Sequence, residues 1–399
     1  MARPTDDPFG KYNGNEAEYV LRFLSGEDGD RRSWPQRLEE KFAEIMGVKY
    51  AIACNSGTSG LHMALYAADV GPGDEVISPA LTVVMDAYAT IHLGAIPVFA
   101  DVNADTFNID AKDVAAKITP KTKAILVVSL EGLPVDMDPI MEIANERDLI
   151  VIEDSAQTML GKYKGRMAGT IGHMGVYSFE NKKHMTCGSE GGMVVANDAE
   201  LATRARKFGG IGYKHMTATA GRTNLALSTV QDPAYERFDT IGLNYRMNEV
   251  SAAVGLGQLE RIADMVTRRQ AVAKLFMEAI DGCSWITPQL TPEGFENSYY
   301  TLAVKYRGHE ERGLTWKDFY NRYVEAGGDG FYGACMIPYL EPALRGATIN
   351  GATLAKGLCP VAEDLQSRIM QFKTNYRDLK IAGTKAQILS DLIDEIGRT

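Results

Sequence analysis

From about residue 50 to 200, short runs rich in Val and Ile alternate with longer segments whose apolar residues recur at helical spacing. That alternation predicts repeated strand–helix units. Seven strands are expected, at Ala51–Ser56, Glu75–Ala80, Ile96–Val102, Ala124–Leu130, Ile150–Asp154, Gly175–Phe179 and Gly192–Asn197. Runs such as Ala124-Ile125-Leu126-Val127-Val128 lack polar alternation, so these strands are expected to be buried on both faces. The predicted product is an α/β fold, a mostly parallel seven-stranded sheet flanked by helices, with ligands at the carboxyl ends of its strands. Residues 213–240 are polar and aperiodic, and are read as a loop over the site. Glu249–Phe276 reads as one long or broken helix, with Val250, Val254, Ile262 and Val266 on its packing stripe. Beyond about 280 the pattern shifts to mixed elements, including Trp285-Ile286, Tyr300–Lys305 and an amphipathic helix near Ala386–Ile396. The expected division is an N-terminal arm (1–14), a large domain (15–265) and a smaller α+β C-terminal domain (266–399).

Composition narrows the class. With 399 residues, 45% hydrophobic and 24% charged, the chain is an ordinary globular sequence, which excludes disorder, collagen and coiled coil. The balance of 42 Lys plus Arg against 52 Asp plus Glu, with no basic run, argues against nucleic acid or a membrane surface as partner. Cys54, Cys187, Cys283, Cys335 and Cys359 are odd in number and scattered, so neither a disulfide framework nor a zinc site is expected. No HExxH-like spacing suggests any other metal. The N-terminus has no apolar signal core, and no apolar run approaches the roughly 20 residues of a membrane span. A cytoplasmic protein is expected.

Three constellations carry candidate chemistry. Asn55-Ser56-Gly57-Thr58-Ser59-Gly60 sits where a strand ends and a helix begins. It is either a phosphate cradle of backbone N–H groups and hydroxyls or an ordinary helix cap. It matches neither a Walker loop nor the GxGxxG turn of a nicotinamide dehydrogenase. In Val151-Ile152-Glu153-Asp154-Ser155-Ala156-Gln157 an acid ends a buried strand, and its charge needs either a protein partner or a cationic ligand atom. Tyr177-Ser178-Phe179-Glu180-Asn181-Lys182-Lys183-His184 precedes the glycine-rich Gly188–Gly192. A lysine there is either solvated or, if desolvated beside the acid, able to form a Schiff base.

A phosphate cradle, a carboxylate able to face a pyridinium and an imine-forming lysine are together what pyridoxal 5′-phosphate requires. Through Ser56-Gly57-Thr58, Glu153–Gln157, Ser178-Phe179 with Lys183, Glu190-Gly191-Gly192 and Gly242-Leu243-Asn244-Tyr245-Arg246-Met247, the chain resembles the DegT/StrS-type sugar aminotransferases of the fold type I pyridoxal-phosphate enzymes. The resemblance runs from about residue 15 to the end. It implies that Lys183 is the internal-aldimine lysine, with Lys182 as the fallback, and that Asp154 pairs with the pyridine nitrogen. It further implies that Gln157 contacts the ring hydroxyl, and that Gly57, Thr58, Ser59 and Ser178 hold the phosphate. Asn244 would reach the phosphate of a neighbouring subunit, making a homodimer with shared sites. The implied reaction is ping-pong transfer of an amino group from L-glutamate or L-glutamine to a keto group of a nucleotide-linked deoxysugar, for surface polysaccharide or glycoside biosynthesis.

The chain departs from the family pattern in two places. Val83 stands where the family often has a ring-stacking aromatic, and Ser129 and Glu131 stand where it usually has His and an aromatic. Glu131 is therefore a candidate substrate contact, as are His184 and Tyr213, while Glu190 beside the lysine has no assigned role. Rival readings are a transaminase of a keto-cyclitol or small keto-sugar phosphate, a pyridoxal-dependent sugar dehydratase in which His replaces the lysine, and a non-enzymatic regulator that binds the cofactor.

Overall fold

The computed structural model describes residues 11–26, 29–221, 225–333, 336–349 and 352–398. Cys335 and most of the expected N-terminal arm lie outside them, as do residues 222–224 of the 213–240 segment. The large sheet has seven strands: β1 (Tyr50–Cys54), β2 (Glu75–Pro79), β3 (Ile96–Ala100), β4 (Thr122–Val128), β5 (Ile150–Asp154), β6 (Met174–Ser178) and β7 (Gly192–Ala196). They lie in the order β1-β7-β6-β5-β4-β2-β3. Strands β2 to β6 pair in parallel, and β7 runs antiparallel to both β6 and β1. All strands but β7 therefore point the same way, and their carboxyl ends share one edge.

Helices cover both faces. On one side α3 (Gly57–Ala67), α4 (Met85–His92) and α7 (Ala199–Gly209) pack on Ile52, Leu126, Ile152 and Val176. On the other, α5 (Ala111–Lys117) and α6 (Met137–Arg147) cover Ile77, Ile125 and Val151, while α2 (Trp34–Met46) and α8 (Glu249–Leu259) cover Ala51, Tyr177 and Val195. Side chains on a strand alternate between faces, so Val151 and Ile152 enter different cores. Glu153 and Asp154 inherit those opposite faces.

The segment expected as one long or broken helix is two, α8 and α9 (Ile262–Ile280), separated at Glu260–Arg261. Helix α9 serves two cores. Ile262 and Val266 join the cluster around Trp34 and Phe42, whereas Val272, Phe276 and Ile280 join a second cluster with Trp285, Phe319 and Phe372. The second cluster lies between α9, a three-stranded antiparallel sheet of β8 (Ile286–Pro288), β9 (Thr301–Tyr306) and β10 (Ile369–Lys373), and the helices α10 (Trp316–Glu325) and α11 (Leu379–Ile396). No helix among the described residues is long and apolar enough to cross a membrane.

Candidate active site

The first loop of the site is a helix start built to leave donors free. Ser56 caps α3, its Oγ accepting from the Ser59 N–H at 3.1 Å, and the Ser59 hydroxyl donates to Asn55 Oδ1 at 2.6 Å. Ser59 thus builds the turn. The Gly57 and Thr58 N–H groups belong to the first turn, where the helix supplies no acceptor, and they carry the positive end of its dipole. Space around this loop is set by glycine. A Cβ on Gly57 would stand 2.9 Å from Ser178 Cβ, and one on Gly192 would stand 2.6 Å from the Ser56 carbonyl. The ends of β1, β6 and β7 therefore approach one another so closely here that only glycine fits at 57 and 192.

Alternation along β5 separates its two acids. Glu153 turns away from the site and accepts N–H groups from Gly169, Ile171 and Gly172 at 2.7, 2.6 and 2.5 Å, a structural role. Asp154 turns toward α4 and is 3% exposed, with the Ala156 N–H donating to its Oδ1 at 2.8 Å. Burial pushes its carboxyl up. The Ala156 donor, the Lys183 charge and a hydrogen bond from Asp86 each pull it back. No Lys, Arg or His bridges it among the described residues. Gln157, also buried, accepts the Glu131 N–H at 2.8 Å through Oε1, which fixes its amide and leaves the NH₂ end as a donor.

The two adjacent lysines diverge. Lys182 is exposed, its amine 5.9 Å from the Tyr332 ring centre. The Lys183 amine lies 4.6 Å from the Tyr300 ring centre, among the Asp154, Glu131 and Glu180 carboxyls. Burial lowers its pKa from the ordinary lysine value, against the pull of those acids, Asp154 first. A less protonated amine is the nucleophilic form. The loop that carries it is pinned from behind by Arg269 of α9. This buried guanidinium donates to the carbonyls of Lys182, Lys183 and Tyr300 at 3.2, 3.0 and 2.8 Å and to Thr374 Oγ1 at 3.1 Å.

The other expected contacts fall unevenly. Glu131 is 1% exposed, with its backbone in the left-handed region at φ 59°. Its carboxylate accepts from Thr301 Oγ1 and, at 2.5 Å, from Gln371 Nε2, so it ties the loop after β4 to both β9 and β10. His184 is buried with Nε2 3.1 Å from the Ser298 carbonyl, and burial holds its pKa well below the usual value. The neutral ring donates to that carbonyl, and its buried Nδ1 has no partner among the described residues. Tyr213 stacks on Phe238, 4.8 Å between ring centres. The hydrogen bonds of its loop run to α7, as from Lys207 to Asp239 (2.6 Å) and from Arg206 to the Ala218 carbonyl (3.1 Å), and none among the described residues goes to Lys183. Glu190 and Asn244 are exposed. Asn244 accepts from Arg246 Nε at 3.0 Å and makes no described contact with its own Gly57–Ser178 cradle.

Sequence reasoning passed over Asp86, Arg269 and Tyr300. The only sequence signal for Asp86 is an acid inside the apolar stretch Thr82–Thr90, four residues after a threonine. Arg269 lies on a helix read only for its packing stripe, and Tyr300 opens the expected element Tyr300–Lys305; neither position advertises its partner.

A sheet of this topology, with a small second sheet beside it and an anion cradle, a buried acid and a desolvated lysine at one edge, defines a fold type I pyridoxal-phosphate enzyme. The chain belongs to the DegT/DnrJ/EryC1/StrS aminotransferase family, whose model matches residues 12–376, and it is pyridoxal-phosphate-dependent. It is 40% identical over 270 residues to a GDP-perosamine synthase of Caulobacter vibrioides, a match covering 66% of each chain. It is 37% identical over 300 residues to a GDP-perosamine synthase of Escherichia coli O157:H7, covering 75% of this chain and 77% of that one. Among solved structures, an aminotransferase from Psychrobacter cryohalolentis superposes with a TM-score of 0.84 at 30% identity, over 96% of this chain and 97% of the other.

Proposed function

We propose that this aminotransferase moves an amino group from L-glutamate or L-glutamine to a keto group of a nucleotide-linked deoxysugar, with guanosine diphosphate as the nucleotide. The observation that carries the reading is the meeting of the Gly57–Thr58 helix start, Asp154 and the Lys183 amine at one edge of the sheet. The nucleotide comes from the relatives, two of which are named for a GDP-linked amino sugar.

The residues fit the cofactor by size and charge. Gly57 and Gly192 let β1, β6 and β7 close tightly on the start of α3, the α3 N-terminus suits a phosphate, and the buried Asp154 suits a protonated ring nitrogen. The Gln157 NH₂ group would donate to the ring hydroxyl. When bound, the cofactor supplies an electron sink for the carbanion left on the amine-bearing carbon. Asp154 keeps the ring nitrogen charged. Lys183, held by the Arg269 clamp on its own carbonyl, would take a proton at Nζ from the amine-bearing carbon and return it to the cofactor carbon on the other side of the nitrogen. The Tyr300 ring covers one side of that amine.

A second copy of the chain completes the site in this reading. Leu227, Phe238, Ile241, Leu243 and Val250 are exposed, Ile241 at 95%, and Asn244 in the same stretch of chain is exposed too. An apolar face of that kind marks a protein contact, and Asn244 would cross it to the partner's phosphate cradle. The four described cysteines are buried and unpaired, which suits a reducing cytoplasm.

The test is a pair of half-reactions followed by absorbance and mass spectrometry. The holoenzyme should convert to its aminated form with L-glutamate or L-glutamine, then return when given a GDP-linked keto sugar, yielding an amino sugar. Return with UDP- or TDP-linked analogues but not GDP would overturn the nucleotide assignment. No return with any nucleotide sugar would overturn the acceptor class.

A further inference from the structure

Asp154 has a second buried acid beside it. Asp86, in the first turn of α4, is 1% exposed, and its Oδ2 accepts from Thr82 Oγ1 at 2.6 Å. Its Oδ1 has no donor among the described residues, although the atom is fully enclosed. What faces Asp86 is another acceptor, the Asp154 carboxyl. Two carboxylates in contact, out of water, repel each other by far more than one proton costs, so such a pair retains a proton. The question is where the proton sits.

The surroundings decide. Asp154 has the Ala156 N–H on one oxygen and feels the Lys183 charge, both of which favour its anion. Asp86 has one hydroxyl donor and no cation among the groups acting on it. Burial and the Asp154 charge push it well above the carboxylate range. A protonated Asp86 also removes the one unsatisfied atom, because its hydroxyl is then the donor and Asp154 the acceptor. A proton on either acid would satisfy the facing oxygens, and it is the Ala156 N–H and the Lys183 charge, both on the Asp154 side, that place it on Asp86.

We propose that Asp86 is a positioning residue for the transamination site: it keeps its own proton and donates it to Asp154, holding that carboxylate charged and aimed at the place where a ring nitrogen binds. The inference rests on the reading that Asp154 faces the cofactor nitrogen. Thr82 serves as the anchor that fixes the rotamer of Asp86. The row Thr82–Asp86–Asp154 thus runs from the start of α4 to the end of β5, and it sets both the direction and the charge of the acid the cofactor meets.

Three variants of the full-length protein test this, Asp86→Asn, Asp86→Ala and Asp154→Asn, each checked for wild-type circular dichroism. Infrared difference spectra of the cofactor-free protein at neutral pH should show a protonated carboxyl band in the wild type that is missing in Asp86→Asn. Affinity for pyridoxal phosphate, measured by equilibrium dialysis, should stay within about threefold in Asp86→Asn, whose amide is still a donor, and fall at least about tenfold in Asp86→Ala. Absence of the band, equal losses in Asn and Ala, or no loss in Ala would each overturn the proposal. The parent reading fails separately: if Asp154→Asn binds the cofactor as tightly as wild type, Asp154 does not face the ring nitrogen.

Discussion

Arg269→Met removes the clamp behind the lysine loop while preserving the length and apolar stem of the side chain. Four acceptors, the carbonyls of Lys182, Lys183 and Tyr300 and the Thr374 hydroxyl, lose a charged donor in a dry region. A hydrogen bond to a charged group contributes about 1.5–3 kcal/mol, and the four are not additive because one cation makes them all. Against them stands the several kcal/mol of desolvation recovered when a buried guanidinium is removed. That burial is real here, since it lowers the Arg269 pKa to about 10 and no carboxylate pairs with it among the described residues. The net expected loss is about 2–4 kcal/mol, read from urea unfolding of the cofactor-free protein. A second readout separates loop from global effects. Burial lowers the Lys183 pKa, so loosening its loop should move that pKa upward and slow cofactor loading at neutral pH. A loss under about 1 kcal/mol with unchanged loading would refute the claim that Arg269 holds the lysine in place.

Three further outcomes follow from the same geometry. Gly192→Ala puts a Cβ 2.6 Å from the Ser56 carbonyl and 2.8 Å from the Gly57 nitrogen, so pyridoxal-phosphate affinity by dialysis should drop at least about tenfold; retention within about twofold would show that the cradle does not hold the phosphate. Glu131→Gln keeps the bonds to Thr301 and Gln371 but removes a charge that raises the Lys183 pKa. Cofactor loading, which needs the free amine, should therefore extend to lower pH, and a shift to higher pH would contradict the placement of Glu131. The folded-state pKa of Asp86 is raised, so its contribution to stability is full below its unfolded value and is lost as pH rises through the folded one. Wild type should lose stability relative to Asp86→Asn by about 1.4 kcal/mol per pH unit across the acid-to-neutral range, and parallel stability curves would refute it.

The large sheet was legible because a parallel strand buried on both faces needs an unbroken apolar run, and all seven such runs became strands. The chemistry at strand ends was legible for a related reason. Ser56-Gly57, Asp154 and Ser178 interrupt those runs with polar or glycine residues where a buried strand would otherwise continue apolar. Asp86, Arg269 and Tyr300 were not legible, since each matters through a partner 31 or more positions away. Their residue types are common in the elements they occupy. Glu131 was visible as an oddity, but its sequence context gave no hint that Thr301 and Gln371 would take up its carboxylate. The loop of 213–240 was expected over the site because a long polar segment beside a catalytic sheet is usually functional. Among the described residues, Ala218 and Asp239 of this segment are tied to α7 by Arg206 and Lys207.

Whether Lys183 or its neighbour Lys182 carries pyridoxal phosphate decides the chemistry at this sheet edge. Borohydride reduction of the holoenzyme followed by peptide mass spectrometry tests it directly, by fixing the pyridoxyl group to whichever amine holds it. The label is expected on Lys183, because that amine lies under Tyr300 and its pKa is lowered by burial beside Asp154. Label on Lys182, or a holoenzyme with no lysine labelled, would contradict it.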